Sequence, residues 1–191
     1  MSVPAKRAVV IGASAGAVQA LLAILPTLPA DYPLPIFIAV HVPPDRGNVL
    51  VPLLQARCAL AVVEAEDKET ARPGTIYFAP SDYHLLIEQD GGLALSSEEP
   101  VNYSRPSIDV LFESAADAFG SGLIGVVLTG ANHDGAAGLR AVFERGGEAL
   151  VERPSEAYAS AMPQAALAAC GGATVMSLED IANHLGGLQT A

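Results

Sequence analysis

Apolar residues fall in short continuous runs, and segments with a helical pattern lie between these runs. Three of the runs, residues 8–11, 36–40 and 123–128, are apolar or glycine at every position. A strand with one face in water would alternate apolar and polar residues, whereas continuous runs are typical of a parallel sheet covered on both faces. Because such runs alternate with helical segments, the sequence predicts an α/β fold with a doubly wound, mostly parallel sheet and helices on both faces.

Shorter segments complete this alternation. Residues 90–92 (Asp-Gly-Gly) separate two short apolar runs and predict an inserted antiparallel hairpin. Pro106 is expected to open a helix, because a proline at the first helical position loses no hydrogen bond. The other predicted elements are helices over 18–25, 48–58, 135–143 and 165–169, strands over 60–63, 75–78, 149–151 and 174–176, a Pro-Pro break at 43–44, and a C-terminal helix.

The composition indicates one acidic globular domain. The 191 residues carry 10 Lys+Arg and 21 Asp+Glu, a formal net charge of −11, and 51% of them are hydrophobic. We expect a single domain over residues 1–191 with its core at about 7–186. The negative charge disfavours a surface for nucleic acids or anionic lipids. No apolar run approaches the roughly 18–20 residues that span a bilayer.

The two cysteines, Cys58 and Cys170, lie far apart among apolar or small residues. No Cys-x-x-Cys motif or Cys/His ligand spacing occurs, so both side chains are expected to be buried and reduced. The N-terminus also lacks the apolar core of a signal peptide. These features predict a cytoplasmic protein that needs neither a metal nor a cofactor.

Residues 12–16 (Gly-Ala-Ser-Ala-Gly) match the pattern G-x-S-x-G, with a predicted strand before it and a helix after it. The glycines permit a tight turn that would expose the Ser14 hydroxyl at the carboxyl edge of the sheet. The helix would direct its free N–H groups at an oxyanion formed there. The same pattern also fits a turn in which Ser14 only caps the helix.

A nucleophilic serine requires a base, and the chain has four histidines. Ligands of a doubly wound sheet bind beyond the carboxyl ends of its strands. His41 directly follows the apolar run 36–40, at the same edge as Ser14, and is the preferred general base. His84 is expected at the rim of the site, His133 in an exposed loop and His184 on the surface.

The third member of a catalytic triad is a carboxylate that orients the imidazole. Asp134 follows the strongest predicted strand and precedes a helix, although it could also cap that helix. Its rival, Asp109, has the position of a first-turn helix charge. The candidate triad is therefore Ser14, His41 and Asp134, in an order that differs from the Ser–Asp–His order of α/β-hydrolases.

In these motifs the chain resembles the catalytic domain of the bacterial chemotaxis protein-glutamate methylesterase (CheB-type) family. By this resemblance Ser14 corresponds to the nucleophile, His41 to the base and Asp134 to the third member. The resemblance implies removal of methyl groups from glutamyl methyl esters on chemoreceptor helices, with release of methanol, and deamidation of glutamines on the same helices. The matching segments are 11–14, 41–44, 64–67, 76–80, 105–112, 125–130 and 134–138.

The chain departs from the family in three respects. The family usually has Ser-Thr-Gly-Gly at the nucleophile, where residues 14–17 are Ser-Ala-Gly-Ala. It usually has Thr-Gly-Met-Gly before the last motif, where residues 130–132 are Gly-Ala-Asn. Its usual N-terminal receiver domain has no room before the first predicted strand, so we expect a stand-alone domain or control by a separate chain. Since the three catalytic positions are retained, altered specificity or efficiency is expected before inactivity.

Two other interpretations stay open at this point. A Rossmann-type nucleotide-binding module would explain the glycines, but it would place an acidic residue at the end of the second strand, where this chain has His41. The substitutions Ala15, Ala17 and Ala131 also fit a catalytically silent module that only binds receptor-like helices.

Overall fold

The computed structural model describes residues 6–41 and 48–188. Seven of the strands in these residues form one parallel sheet, and the other two form the predicted antiparallel hairpin. The strands are β1 (Ala8–Ala13), β2 (Ile36–Val40), β3 (Ala61–Glu64), β4 (Thr75–Phe78), β5 (His84–Ile87), β6 (Leu93–Ser96), β7 (Leu123–Val127), β8 (Glu148–Glu152) and β9 (Thr174–Met176). The α-helices are α1 (Ala17–Ile24), α2 (Leu50–Gln55), α3 (Ile108–Phe119), α4 (Ala136–Glu144), α5 (Ala161–Ala169) and α6 (Leu178–Gly186).

The central strands are apolar throughout because helices cover both faces of the sheet. Along β1, Val9 and Ile11 belong to one apolar core, whereas Ala8 and Val10 belong to a second core on the opposite face. Helices α1, α2 and α6 contribute to the first core, and α3, α4, α5 and the hairpin contribute to the second. Burial on both faces is the physical reason for the continuous apolar runs in the sequence.

The strand order of the sheet is β3-β4-β2-β1-β7-β8-β9. Strand β1 lies in the middle, with Ala13 in register with Val40 of β2 and Gly12 in register with Val127 of β7. The strands are parallel, so the segments that follow β1, β2 and β7 leave the sheet side by side at its carboxyl edge. Ser14, His41 and the segment up to Asp134 are in these three places.

Several predicted boundaries need correction. The helix expected over 48–58 covers only Leu50–Gln55, and the helix expected to open at Pro106 begins two residues later, at Ile108. Cys170 is buried, but Cys58 is only half-buried, and both are free thiols. The predicted Pro-Pro break at 43–44 lies outside the described residues. Among those described, no helix is both long and apolar enough to cross a membrane.

Helices α3 and α4 cross at a close approach that Gly138 makes possible. A Cβ atom built on Gly138 would lie 2.6 Å from Cβ of Phe112 and 3.1 Å from Cα of Asp109. The second of these contacts is with backbone, which cannot move aside as a flexible side chain could. The separation of α3 and α4 therefore depends on the absence of a side chain at this position.

Gly138→Ala is expected to destabilise the fold by about 1–3 kcal/mol, as overpacking of a close contact does. Gly186→Ala is the matched control, because a Cβ there would meet no atom within 4 Å. In the control, the better helix propensity of alanine should raise stability by up to about 1 kcal/mol. Chemical denaturation of both variants measures the effect, and equal free energies of unfolding would contradict a tight α3–α4 contact.

Candidate active site

The three side chains of the candidate triad lie within hydrogen-bonding distance of one another in series. The Ser14 Oγ is 3.2 Å from Nδ1 of His41, and Nε2 of His41 is 2.7 Å from Oδ2 of Asp134. Asp134 is fully buried, whereas the His41 side chain keeps 13% of its surface exposed. The arrangement thus runs from a partly open serine to a carboxylate that water does not reach.

The turn that carries Ser14 is held by two hydrogen bonds with Thr129 rather than by a side-chain cap on α1. The Ser14 N–H donates to the carbonyl of Thr129 at 2.9 Å, and the Thr129 hydroxyl donates to the carbonyl of Ala15 at 2.8 Å. Gly16 has φ +85°, a conformation that favours glycine, and it stands at the N-terminus of α1. The Ser14 side chain makes no capping bond to α1, so its interpretation as a helix cap is wrong.

Asp134 does cap a helix, but not the one predicted. Its carboxylate accepts hydrogen bonds from the N–H groups of Ile108 at 2.7 Å and Asp109 at 3.1 Å, which are the first residues of α3. It also accepts one from the Ser107 hydroxyl at 2.9 Å. The first residue before α4 is Gly135, which has no side chain of its own to cap that helix end, and Asp134 does not cap it either. Asp134 therefore stabilises the N-terminus of α3 while it holds His41.

Asp109, in the first turn of α3, makes the corresponding contact with the N-terminus of α4. Its Oδ1 accepts hydrogen bonds from the N–H groups of Gly135 at 3.0 Å and Gly138 at 2.7 Å. Asn102 joins the two carboxylates, because its amide Nδ2 donates to Asp134 at 2.9 Å and to Asp109 at 2.8 Å. Each helix is thus stabilised by a carboxylate that belongs to the other segment.

The two neighbouring carboxylates have opposite shifts in pKa. Burial by itself would raise the pKa of Asp134, but hydrogen bonds from His41, Ile108, Asn102 and Asp109 outweigh it and hold the pKa below its ordinary value. Burial raises the pKa of Asp109, and the negative charge of Asp134 adds to the effect. Asp134 is therefore the member of the pair that is charged over the wider range of pH.

The orientation of Asn132 favours one protonation pattern of His41. Its Oδ1 accepts a hydrogen bond from the Asp134 N–H at 2.9 Å, which can only be a donor, so its Nδ2 must face Nδ1 of His41 at 3.1 Å. Nδ1 then carries the lone pair, and Nε2 carries the proton that is shared with Asp134. This is the tautomer in which Nδ1 can accept a proton from Ser14.

In the part of the chain that the structure describes, none of the other histidines hydrogen-bonds to Ser14, His41 or Asp134. His84 is buried rather than at the rim, with Nδ1 accepting from the Ser107 N–H and Nε2 bonded to the Glu99 carbonyl. It supports the segment before α3 and is not a substitute base. His133 is exposed as predicted, and His184 pairs with Glu148 at 2.5 Å. No cluster of three or more His, Cys, Asp or Glu that could hold a metal occurs in residues 6–41 and 48–188.

Sequence reasoning missed four polar residues around the triad. Asn102, Thr129 and Asn132 each contact it or its turn, and Asp109 was set aside as a first-turn charge. A fifth, the buried Glu152, accepts a hydrogen bond from the Thr129 N–H at 2.8 Å and so fixes the end of β7. The only available signal was that these polar residues follow or precede apolar elements, which is also true of ordinary loop residues.

The opposite pKa shifts predict opposite pH dependences of stability in two isosteric variants. A carboxyl with a lowered pKa stabilises the fold above its unfolded pKa of 3.8, and this contribution is lost as pH falls through the folded value. The stability advantage of wild type over Asp134→Asn should therefore shrink as pH is lowered from 6 to 3. A carboxyl with a raised pKa has the reverse effect, so wild type should gain relative to Asp109→Asn over the same range.

The measurement is urea denaturation of the three proteins across this pH range. Each variant serves as the control for the other, because both replace one buried carboxylate by an amide of the same shape. Parallel pH dependences for the two variants would contradict the assignment of Asp134 as the charged member of the pair.

Comparisons with known proteins bear on the identity of the chain. The model of the family described as CheB methylesterase matches residues 9–185. A Leptospira interrogans relative, assigned by its name to protein-glutamate methylesterase/protein-glutamine glutaminase, is 47% identical over 175 residues, which are 92% of this chain and 91% of the relative. A Myxococcus xanthus protein of the same name is 43% identical over 164 residues, 84% of this chain but 47% of that protein.

A solved structure gives the same result. The crystal structure of the Thermotoga maritima CheB methylesterase catalytic domain superposes with a TM-score of 0.91 at 34% identity, covering 96% of this chain and 99% of that domain. The predicted α/β fold and methylesterase class are confirmed. The chain belongs to the CheB methylesterase family.

Proposed function

We propose that this chain is a serine hydrolase that demethylates γ-glutamyl methyl esters on the cytoplasmic helices of chemoreceptors and releases methanol. The observation that carries the proposal is the hydrogen-bonded series of Ser14, His41 and Asp134 at the carboxyl edge of the sheet. The names of the Leptospira and Myxococcus relatives support the choice of substrate. We further propose that the same site deamidates receptor glutamines, since a γ-amide differs from the ester only in its leaving group.

In the first half of the reaction, Ser14 Oγ attacks the ester carbonyl and His41 Nδ1 takes the hydroxyl proton. Asp134 stabilises the resulting imidazolium through the proton on Nε2. The carbonyl oxygen becomes an oxyanion next to the N-terminus of α1. The Ala15 N–H is the natural donor to it, because it follows the nucleophile in chain order and makes no hydrogen bond within the described residues.

Collapse of this intermediate breaks the bond to the methoxy group, which leaves as methanol with the proton from His41. Water then attacks the Ser14 ester, again with His41 as base, and releases the glutamate carboxylate and the free serine. For a glutaminyl substrate the leaving group is ammonia. The net reaction consumes one water, and the protein supplies only its own side chains.

The two ring nitrogens of His41 have exchanged roles relative to a trypsin-type triad, in which Nε2 faces the serine and Nδ1 faces the aspartate. Here Nδ1 faces Ser14 and Nε2 faces Asp134. The chemistry is unaffected, because it requires one N–H towards the carboxylate and one lone pair towards the hydroxyl. Both nitrogens meet these requirements in the tautomer that Asp134 and Asn132 favour.

A receptor substrate of this kind implies a cytoplasmic location. The free thiols Cys58 and Cys170 fit a reducing compartment. The net charge of −11 would repel an anionic membrane surface, so contact with the receptor must come from the protein partner itself.

Ser14→Ala and His41→Ala are each expected to lower turnover by a factor on the order of 10⁶, because triad members act as one unit. The assay incubates the protein with membranes whose receptors carry radiolabelled methyl esters and measures released methanol. The double variant should be little worse than either single variant. Near-additive losses would mean that the two residues do not share a proton path.

Two further outcomes of this assay are informative. Labelling of Ser14 by a fluorophosphonate would exclude a catalytically silent module, since only an activated serine reacts. Absence of both labelling and methanol release in the wild-type protein would overturn the proposed function.

Asn132→Asp and Asn132→Ala are expected to differ in their effect on hydrolysis of a small methyl ester. A carboxylate at 132 can only accept, so it would favour a proton on Nδ1 and remove the lone pair that Ser14 needs. We expect a loss of about 10²-fold or more, the range of a general base. Asn132→Ala should remain close to wild type, because Asp134 alone can hold the proton on Nε2. Equal losses in the two variants would show that Asn132 does not act through the His41 tautomer.

A further inference from the structure

Residues 101–104 form a tight turn whose second central residue is in an unfavourable conformation. The N–H of Val101 and the N–H of Ser104 each donate to the carbonyl of the other residue at 3.0 Å. Asn102 and Tyr103 between them have φ of 53° and 61°, which makes this a type I′ turn. Such turns prefer asparagine followed by glycine, so Asn102 fits its position and Tyr103 does not.

The two central side chains point in opposite directions. Asn102 reaches inward and donates to both Asp134 and Asp109. Tyr103 has a relative exposure of 101%, so its ring gains nothing from packing within the protein. A bulky residue at positive φ destabilises the fold, and a ring that buries none of its surface does not offset this by packing. The position of Tyr103 next to the candidate triad suggests that its ring has a role in binding.

A second exposed aromatic residue lies at the other end of the triad. Tyr158 is 83% exposed, and its Cβ lies 2.7 Å from the point where a side chain on Gly16 would begin. Its backbone neighbour Ala159 is held by the Thr129 hydroxyl at 2.8 Å, and Thr129 also holds the turn of Ser14. Tyr158 therefore stands at the Ser14 end of the triad and Tyr103 at the Asp134 end.

We propose that Tyr103 and Tyr158, together the aromatic rim, form the docking surface for the receptor helix that carries the methyl ester. The proposal rests on the proposed function, because the segment that lies over Ser14 must be the one that carries the methyl ester. Tyrosine offers a large contact area at low cost in side-chain entropy and is enriched at the energetic centres of interfaces. A helix with its side chains is about 10–12 Å wide, so a receptor helix that presents an ester to Ser14 also covers the surface on either side of it.

The test compares a large and a small substrate in Tyr103→Gly and Tyr158→Ala. With receptor membranes, each variant should lose about tenfold in kcat/KM, mainly through a higher KM, which is a larger loss than most interface side chains cause when they are truncated. With a small γ-glutamyl methyl ester, which lacks the receptor helix that the rim would bind, both should match wild type. Tyr158→Ala keeps the Cβ beside Gly16, so it removes the ring without opening the turn.

Two control variants separate docking from local backbone effects. Lys68, beside β6, is exposed and has φ of 65°, so Lys68→Gly relieves the same conformation at a different place. Tyr103→Gly and Lys68→Gly should both raise Tm by about 3 °C, but only the first should impair the receptor reaction. Phe143→Ala removes a ring that is 47% exposed near the end of α4, at the opposite edge of the sheet, and should have no effect on it.

A binding measurement tests docking separately from turnover. In a Ser14→Ala background, co-sedimentation with receptor membranes should fall about tenfold on adding either rim substitution. Unchanged sedimentation would overturn the proposal, as would equal losses on the small and the large substrate, which would mean that the rim only supports the triad. If wild type releases no methanol, the proposed function fails, and sedimentation still decides whether the rim binds receptor.

Discussion

The structure of the site depends on one buried negative charge, the carboxylate of Asp134. A carboxylate without exposed surface is stable only when hydrogen bonds replace the water it has lost. Asp134 obtains them from the His41 ring, from the first two N–H groups of α3, from the Ser107 hydroxyl and from the Asn102 amide. His41, the candidate base, is therefore attached to a helix N-terminus through the same group that would polarise it.

This arrangement creates a second requirement, which Asp109 and Gly138 meet. Asp109 lies in the first turn of α3 and would repel Asp134 if both were charged and unpaired. Its carboxylate instead accepts from the N–H groups of Gly135 and Gly138, and the Asn102 amide lies between the two acidic groups. The contacts form only because α3 and α4 approach closely at Gly138. The hydrogen bonds that stabilise the two carboxylates therefore depend on the packing of α3 against α4.

The fold and the meeting of the three candidate side chains could be predicted because they depend on local sequence. Continuous apolar runs reveal a parallel sheet, and parallel strands bring the residues after them to one edge, which places Ser14, His41 and Asp134 together. The roles of Asp109 and Asn102 could not be predicted in the same way, because they depend on the crossing of two helices. His84 illustrates the same limit, since a histidine before a hairpin is usually exposed, and only the segment that precedes α3 buries it.

Asn132, two residues before Asp134, also affects the candidate base. Nδ1 of His41 has one lone pair but two donors within reach, the Ser14 hydroxyl at 3.2 Å and the Asn132 amide at 3.1 Å. Only one of them can hold the lone pair at a time, so Asn132 secures the correct tautomer and competes with the nucleophile for it. A residue that favours the active tautomer therefore also weakens the resting contact between Ser14 and His41. Because the Asp134 N–H fixes the orientation of the Asn132 amide, this competition follows from the backbone and is independent of the substrate.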